Sequence, residues 1–192
     1  MKNQIPAILG NKPRFSKEIR LVDPICPNKL ELEKETSLHF NDIFERGWLS
    51  NDGKYVKELE TKVSNYLNTN TLTVCNGTIG LILAIKALGL KGNVILPSFT
   101  FPATAHVLEF IGIKPKFVDI DKETYNIDPS LVKENIDKET SAILGVHVFG
   151  NPCHINKLNN IAKENNIKLI FDAAHAFGAD YNEKKLGSFG DV

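Results

Sequence analysis

The feature that most constrains this chain is the alternation, from Thr71 onward, of short apolar runs with helix-like stretches. Strand-like segments read at Thr71 to Cys75, Asn93 to Leu96, Lys114 to Asp119, Ser141 to Val148 and Lys168 to Phe171. Helical ones read at Gly77 to Leu88, Pro102 to Ile111, Ser130 to Ile136 and Ile155 to Asn165. Parallel neighbouring strands need crossovers long enough to hold a helix, so this rhythm predicts an α/β fold: a mixed, mostly parallel sheet with helices on both faces. In such sheets ligands bind beyond the carboxyl ends of the strands, so the strand-to-helix junctions are where chemistry is expected.

A length of 192 residues suffices for one substantial core, and 42% hydrophobic with 24% charged residues is an ordinary globular balance. Because 23 basic residues face 23 acidic ones, the chain offers no field to draw in nucleic acid or an anionic membrane. Small molecules and other protein chains are the expected partners. The three cysteines, Cys26, Cys75 and Cys153, are odd in number and widely spaced. That suits neither a disulfide framework nor a zinc ribbon, and fits a reducing cytoplasm. No window approaches the apolar length that spans a bilayer, and we expect a cytoplasmic protein.

Residues Met1 to Lys29 are proline-rich and aperiodic, which suits an extended arm or a loose terminus. Leu32, Leu38, Ile43 and Phe44 then recur at near-helical spacing up to a stop at Gly47, and a loop, GWLSNDG, follows. Val56, Leu59, Val63 and Leu67 mark one face of a helix over Lys54 to Leu67. We expect residues 1–53 to form an arm, helix and loop, and residues 54–192 to form the large α/β domain.

Three junctions carry candidate chemistry. In CNGTIG, Cys75 to Gly80, Gly77 permits close approach, Thr78 offers a hydroxyl, and the amides of a helix start make an anion seat. The alternative is an ordinary turn capped by asparagine or threonine. In PSFTFPAT, Phe99 and Phe101 would either stack on a planar ligand or fill the core beneath a loop. In LIFDAAHAFG, Asp172 is either a turn cap or a ligand contact at a strand end, and His175 either faces that ligand or is a polar turn residue. His147, Cys153 and His154 fit no standard zinc spacing, so no metal is expected, and no recognisable base accompanies Cys75 as a nucleophile.

Taken in order, PAILGNKP, RGWLSNDGKYVKELE, CNGTIGL, LPSFTFPATAHVLEFIGIKPKFVDID, YNIDPSL, GVHVFGNPCHI and LIFDAAHAFGADYNEKKLGSFGDV resemble the DegT/DnrJ/EryC1/StrS family of pyridoxal phosphate dependent sugar aminotransferases. The resemblance implies fold type I of the pyridoxal phosphate enzymes. It implies that the amides and hydroxyl of Gly77 and Thr78 hold the cofactor phosphate and that Phe101 stacks on the pyridine ring. It further implies that Asp172 pairs with the ring nitrogen, that His175 lies beside the ring, and that Trp48, Leu49, Ser50 and Asn51 lie near the substrate entrance. A carboxylate facing a protonated pyridine nitrogen keeps it charged, which makes the ring a better electron sink.

The family pattern continues past GSFGDV into a serine and, five residues on, the Schiff-base lysine, and then a smaller second lobe; none of these is in this sequence. Lys184 and Lys185 read as solvated hairpin residues. The expectation is therefore a chain inactive alone, with its catalytic lysine beyond Val192. The complete protein would be a homodimer that moves an amino group from an amino acid, glutamate by expectation, onto a nucleotide-linked keto sugar in glycoconjugate or polysaccharide biosynthesis. The alternatives are a non-catalytic remnant or binding module, and a fragment of a family sugar dehydratase.

Overall fold

The computed structural model describes residues 29–192, so the N-terminal arm and Cys26 lie outside the described residues. The chain divides into two compact units between Ser50 and Asn51. In the first unit, α1 (Lys29–Arg46) ends at Gly47, whose φ of 67° takes the chain out of the helix while its N–H still bonds to the carbonyl of Ile43.

The second unit runs α2 (Lys54–Leu67), α3 (Gly77–Ala87), β1 (Asn93–Pro97), α4 (Pro102–Phe110), β2 (Lys114–Val118), α5 (Pro129–Asn135), β3 (Thr140–Val146), α6 (Ile155–Asn165), β4 (Lys168–Asp172), β5 (Asp180–Tyr181) and β6 (Lys184–Lys185). Local chemistry sets the starts. Pro102 and Pro129 open α4 and α5 at positions where an amide would be unpaired anyway, and the Asp128 side chain accepts the N–H of Ser130. Asn166, in the left-handed region, closes α6.

The main sheet has the order β2-β1-β3-β4, and every pair in it is parallel. Successive side chains of a strand point to opposite faces, and both faces here are covered. Ile95, Ile143, Leu169 and Phe171 pack with Val132 of α5 and with Ile155, Leu158 and Ile161 of α6. Val94, Leu96, Ala142, Leu144 and Ile170 pack with Ile85 of α3 and with Val107 and Leu108 of α4. The sequence rhythm thus reports a sheet buried on two sides. Antiparallel pairing among the described strands is confined to the two-residue ribbon β5-β6.

One expected element does not form. Thr71 to Cys75 is not a strand, because its backbone donors are taken by α2 instead of by a neighbouring strand. The Thr71 N–H bonds to Ser64 Oγ at 3.0 Å, and both the N–H and the hydroxyl of Thr73 bond to Glu60 Oε1 at 2.8 Å. With those donors occupied, Leu72 stays 74% exposed in spite of its strand-like pattern.

Candidate cofactor site

The carboxyl ends of β1, β3 and β4 and the N-terminus of α3 enclose a cavity of about 420 Å³. Gly77, Thr78, Phe99, Phe101, Asp172 and His175 all line it. Five of these were the expected cofactor residues, drawn from three junctions far apart in the sequence. Asn51 is exposed and is not among the residues lining the cavity, while Trp48 and Ser50 are exposed residues of the first unit.

The start of α3 leaves two amides open. Asn76 stays extended and its Oδ1 accepts the N–H of Ile79 at 3.0 Å, while the Gly80 N–H returns to the Asn76 carbonyl. Among the described residues the amides of Gly77 and Thr78 have no acceptor. They sit at the positive end of the helix beside the Thr78 hydroxyl. A methyl group built on Gly77 would meet nothing within 4 Å, so the approach to these amides is open.

The aromatic residues of PSFTFPAT are not core. Phe101 is 71% exposed and Phe99 is 45% exposed, with its ring 5.9 Å from that of Tyr125. Phe101 caps the N-terminus of α4, which puts its ring on the cavity wall.

Asp172, half-buried at the end of β4, serves as a cap and also presents a second oxygen elsewhere. Oδ1 accepts the N–H of Ala174 at 3.1 Å, and Oδ2 accepts the hydroxyl of Thr104 at 3.0 Å. Its main-chain carbonyl accepts the N–H of His147, tying β4 to the end of β3. His175 accepts the N–H of Phe149 on Nδ1 at 3.3 Å, and the two rings lie parallel with centroids 5.7 Å apart. With Nδ1 occupied as an acceptor, the neutral ring carries its hydrogen on Nε2 and remains a donor.

Phe149 escaped notice in the sequence. It lines the cavity with a φ of 52°, an uncommon backbone for a bulky residue, and is 78% exposed. Asn126 and Asn151 hold its loop. Asn126 Oδ1 accepts the Val148 N–H, Asn126 Nδ2 donates to the Asn151 carbonyl, and Asn151 Nδ2 donates to the Thr124 carbonyl. Thr104 was also passed over, although a hydroxyl among the apolar positions of α4, three and four residues before Val107 and Leu108, is a readable signal of a buried polar role.

His147 and Cys153 are buried beside the sheet, away from the cavity lining. Burial pushes the Cys153 thiol up to about 12, and it donates to the Val146 carbonyl, which leaves it inert. Cys75 is exposed. Among the described residues no group of three or more His, Cys, Asp or Glu side chains could hold a metal ion.

The parallel sheet covered by helices on both faces, with a cavity at its carboxyl edge, has the fold of type I pyridoxal phosphate enzymes. The chain belongs to the DegT/DnrJ/EryC1/StrS aminotransferase family, whose sequence profile matches residues 30–192. It is 38% identical over 157 residues to the GDP-perosamine synthase of Vibrio cholerae, covering 80% of this chain and 43% of that protein. With the dTDP-4-amino-4,6-dideoxy-D-glucose transaminase of Shigella dysenteriae it shares 42% identity over 167 residues, 86% of this chain and 45% of that protein. The chain thus spans less than half the length of these relatives. Among solved structures, DesI in the presence of its TDP-sugar product superposes with a TM-score of 0.81 at 41% identity, covering 83% of this chain and 41% of that one. A GDP-4-keto-6-deoxymannose-3-dehydratase with a trapped PLP-glutamate geminal diamine matches with a TM-score of 0.68 at 35% identity, covering 72% of this chain and 38% of that one.

Proposed function

We propose that this chain binds pyridoxal 5'-phosphate in the cavity and serves a transaminase that moves an amino group from an amino acid, glutamate, onto a nucleotide-linked keto sugar in glycoconjugate biosynthesis. The observation that carries this is the convergence of the Gly77–Thr78 amides, the Phe101 ring and the Asp172 carboxylate on one cavity. The residues fit the group: unpaired helix-start amides suit a phosphate dianion, and a carboxylate across the cavity suits a cationic ring nitrogen. Bound there, the cofactor would supply an electron sink for a carbon that has lost its proton.

This chain's residues have the following parts. The Gly77 and Thr78 amides and the Thr78 hydroxyl bind the phosphate. Phe101 covers one face of the ring and excludes water from it. Asp172 holds a proton on the ring nitrogen, and His175 offers its Nε2–H to an oxygen within the cavity. Trp48, Ser50 and Asn51 are assigned to the sugar side. The similarity to two nucleotide-sugar enzymes and to DesI supports the substrate class; a cytoplasmic setting and a homodimer belong to the proposal alone. The Shigella dysenteriae transaminase, at 42% identity, is more similar to this chain than the dehydratase structures at 35% and 30%, which supports amino transfer over dehydration.

The test is calorimetric titration of the chain with pyridoxal 5'-phosphate and with pyridoxal. The phosphate ester is expected to bind at least about ten-fold tighter, and Thr78→Ala is expected to lose roughly ten-fold, the scale of one hydrogen bond to a charged group. Equal affinity for the two compounds, or no binding, would sink the cofactor assignment. For the chemistry, a longer protein that carries this chain together with the lysine-bearing segment, supplied with ¹⁵N-glutamate and a GDP- or dTDP-linked 4-keto-6-deoxy sugar, is expected to yield the labelled amino sugar, whereas a dehydrated, unaminated product would favour the dehydratase.

A further inference from the structure

Resting on the cofactor assignment above, we propose that Thr104, itself oriented by Thr100, is the positioning residue that aims the Asp172 carboxylate at the ring nitrogen. Turn capping accounts for only one oxygen of Asp172, the Oδ1 that takes the Ala174 N–H two residues on. The other oxygen is held by a side chain 68 residues away in sequence, from α4 on the face of the sheet opposite α5 and α6. A local turn needs no such partner.

The direction of this contact is fixed by chemistry. A carboxylate can only accept, so the hydrogen on Thr104 Oγ1 points at Asp172 Oδ2, and the Thr104 oxygen is left to accept. Thr100 Oγ1 lies 2.9 Å from it and is the donor. Thr100 and Asp172 both line the cavity, while Thr104 is 0% exposed beneath them. The three side chains therefore form a one-way arc that starts on the cavity wall, dips through the core and returns to the wall.

Burial makes the arc consequential, because no water reaches Thr104 to replace a lost donor. Threonine in a helix commonly turns its hydroxyl back onto the carbonyl one turn earlier. Here it reaches across to the sheet, and the stiff β-branched side chain leaves the hydroxyl little freedom to wander. Removing it frees the Asp172 carboxyl group to rotate about its last bond, with Oδ1 alone holding its plane.

The experiment compares affinities for pyridoxal 5'-phosphate and for its 1-deaza analogue, in which C–H replaces the ring nitrogen. The parent chain is expected to prefer the natural cofactor by about ten-fold or more, the scale of one charge-assisted hydrogen bond. Thr104→Val, nearly the same shape, is expected to cut that preference to within about three-fold while leaving affinity for the analogue unchanged. Thr104→Ser is expected to restore it. Thr100→Val, which sits on the wall and disturbs no core packing, is expected to move the preference part of the way in the same direction. A parent chain that binds both compounds equally would overturn the Asp172 assignment and the present proposal together. A parent that discriminates while Thr104→Val and Thr100→Val discriminate equally well would overturn the proposal alone. Equal loss of both ligands in Thr104→Val, without rescue by serine, would also overturn it, since that is the signature of a purely structural hydroxyl.

Discussion

His147 follows β3 directly, is fully buried, and has its two ring nitrogens treated differently by the fold. Nδ1 accepts the N–H of Cys153 at 3.1 Å, so the neutral ring carries its hydrogen on Nε2, which has no partner among the described residues. Its ring stacks on Phe171 with centroids 4.6 Å apart. Burial is the larger influence and lowers its pKa to about 4, with the opposing pull of Asp172 too weak to restore it. Protonating the imidazole would also require the Nδ1 lone pair that Cys153 occupies. The sign follows from proton counting. Between the unfolded value of 6.5 and about 4, the unfolded chain binds a proton that the folded chain refuses, so stability falls as pH drops through that window. At full effect this amounts to roughly 3 kcal/mol, an upper figure from the size of the shift. Urea denaturation of the chain and of His147→Asn from pH 7.5 to 4.5 checks it, with a flatter profile expected for the variant. Identical slopes would show that other groups govern acid sensitivity. In the sequence His147 stood only as a histidine outside any standard zinc spacing, since spacing carries no information about which nitrogen a fold will bury.

At the scale of elements, the stretch between α2 and α3 shows where sequence patterns lose their grip. Its alternation is strand-like, yet Glu60, Ser64 and Thr73 divert the backbone donors to side-chain acceptors, a long-range choice that local periodicity does not encode. The bonds from Thr73 also hold the Glu60 carboxyl below its usual range, the backbone one foremost. This tether matters because the segment it fixes runs straight into Asn76 and the open amides of Gly77 and Thr78. Glu60→Ala is expected to raise amide hydrogen exchange across residues 71–76, leave β1, β3 and β4 protected, and weaken phosphate-dependent binding several-fold. Unchanged exchange in that segment would mean that the contact follows the backbone instead of setting it. Elsewhere element boundaries were readable to within one or two residues, because proline starts, asparagine caps and two-sided burial act locally.

At the scale of the whole molecule, the fold was legible, as were five of the residues that line the cavity, and the contacts that hold them were not. Phe101 stands between β1 and α4, Asp172 and His175 follow at the end of β4, and Gly77 and Thr78 open α3; a parallel sheet brings the carboxyl ends of its strands to one edge whatever the details of packing. Thr104, Phe149 and the asparagine pair act by contacts between segments more than 20 residues apart, from Asn126 to Asn151 and from Thr104 to Asp172. Such contacts exist only once the sheet has ordered its strands as β2-β1-β3-β4.

That cavity also has a thermodynamic consequence. Its walls come from positions as distant as Gly77 and His175, and the unfolded chain has no equivalent of it, so any ligand it accepts is linked to folding itself. Free cofactor at a hundred times its dissociation constant would add about 2.7 kcal/mol to the stability of the chain. Differential scanning fluorimetry is expected to show a melting temperature that climbs with the logarithm of pyridoxal 5'-phosphate concentration, and less steeply for Asp172→Asn. A melting temperature indifferent to the cofactor would mean that the native state holds it no better than the unfolded one does. In a cell where cofactor supply varies, the amount of this protein that survives proteolysis would then follow that supply, making the ligand a determinant of abundance as well as of chemistry.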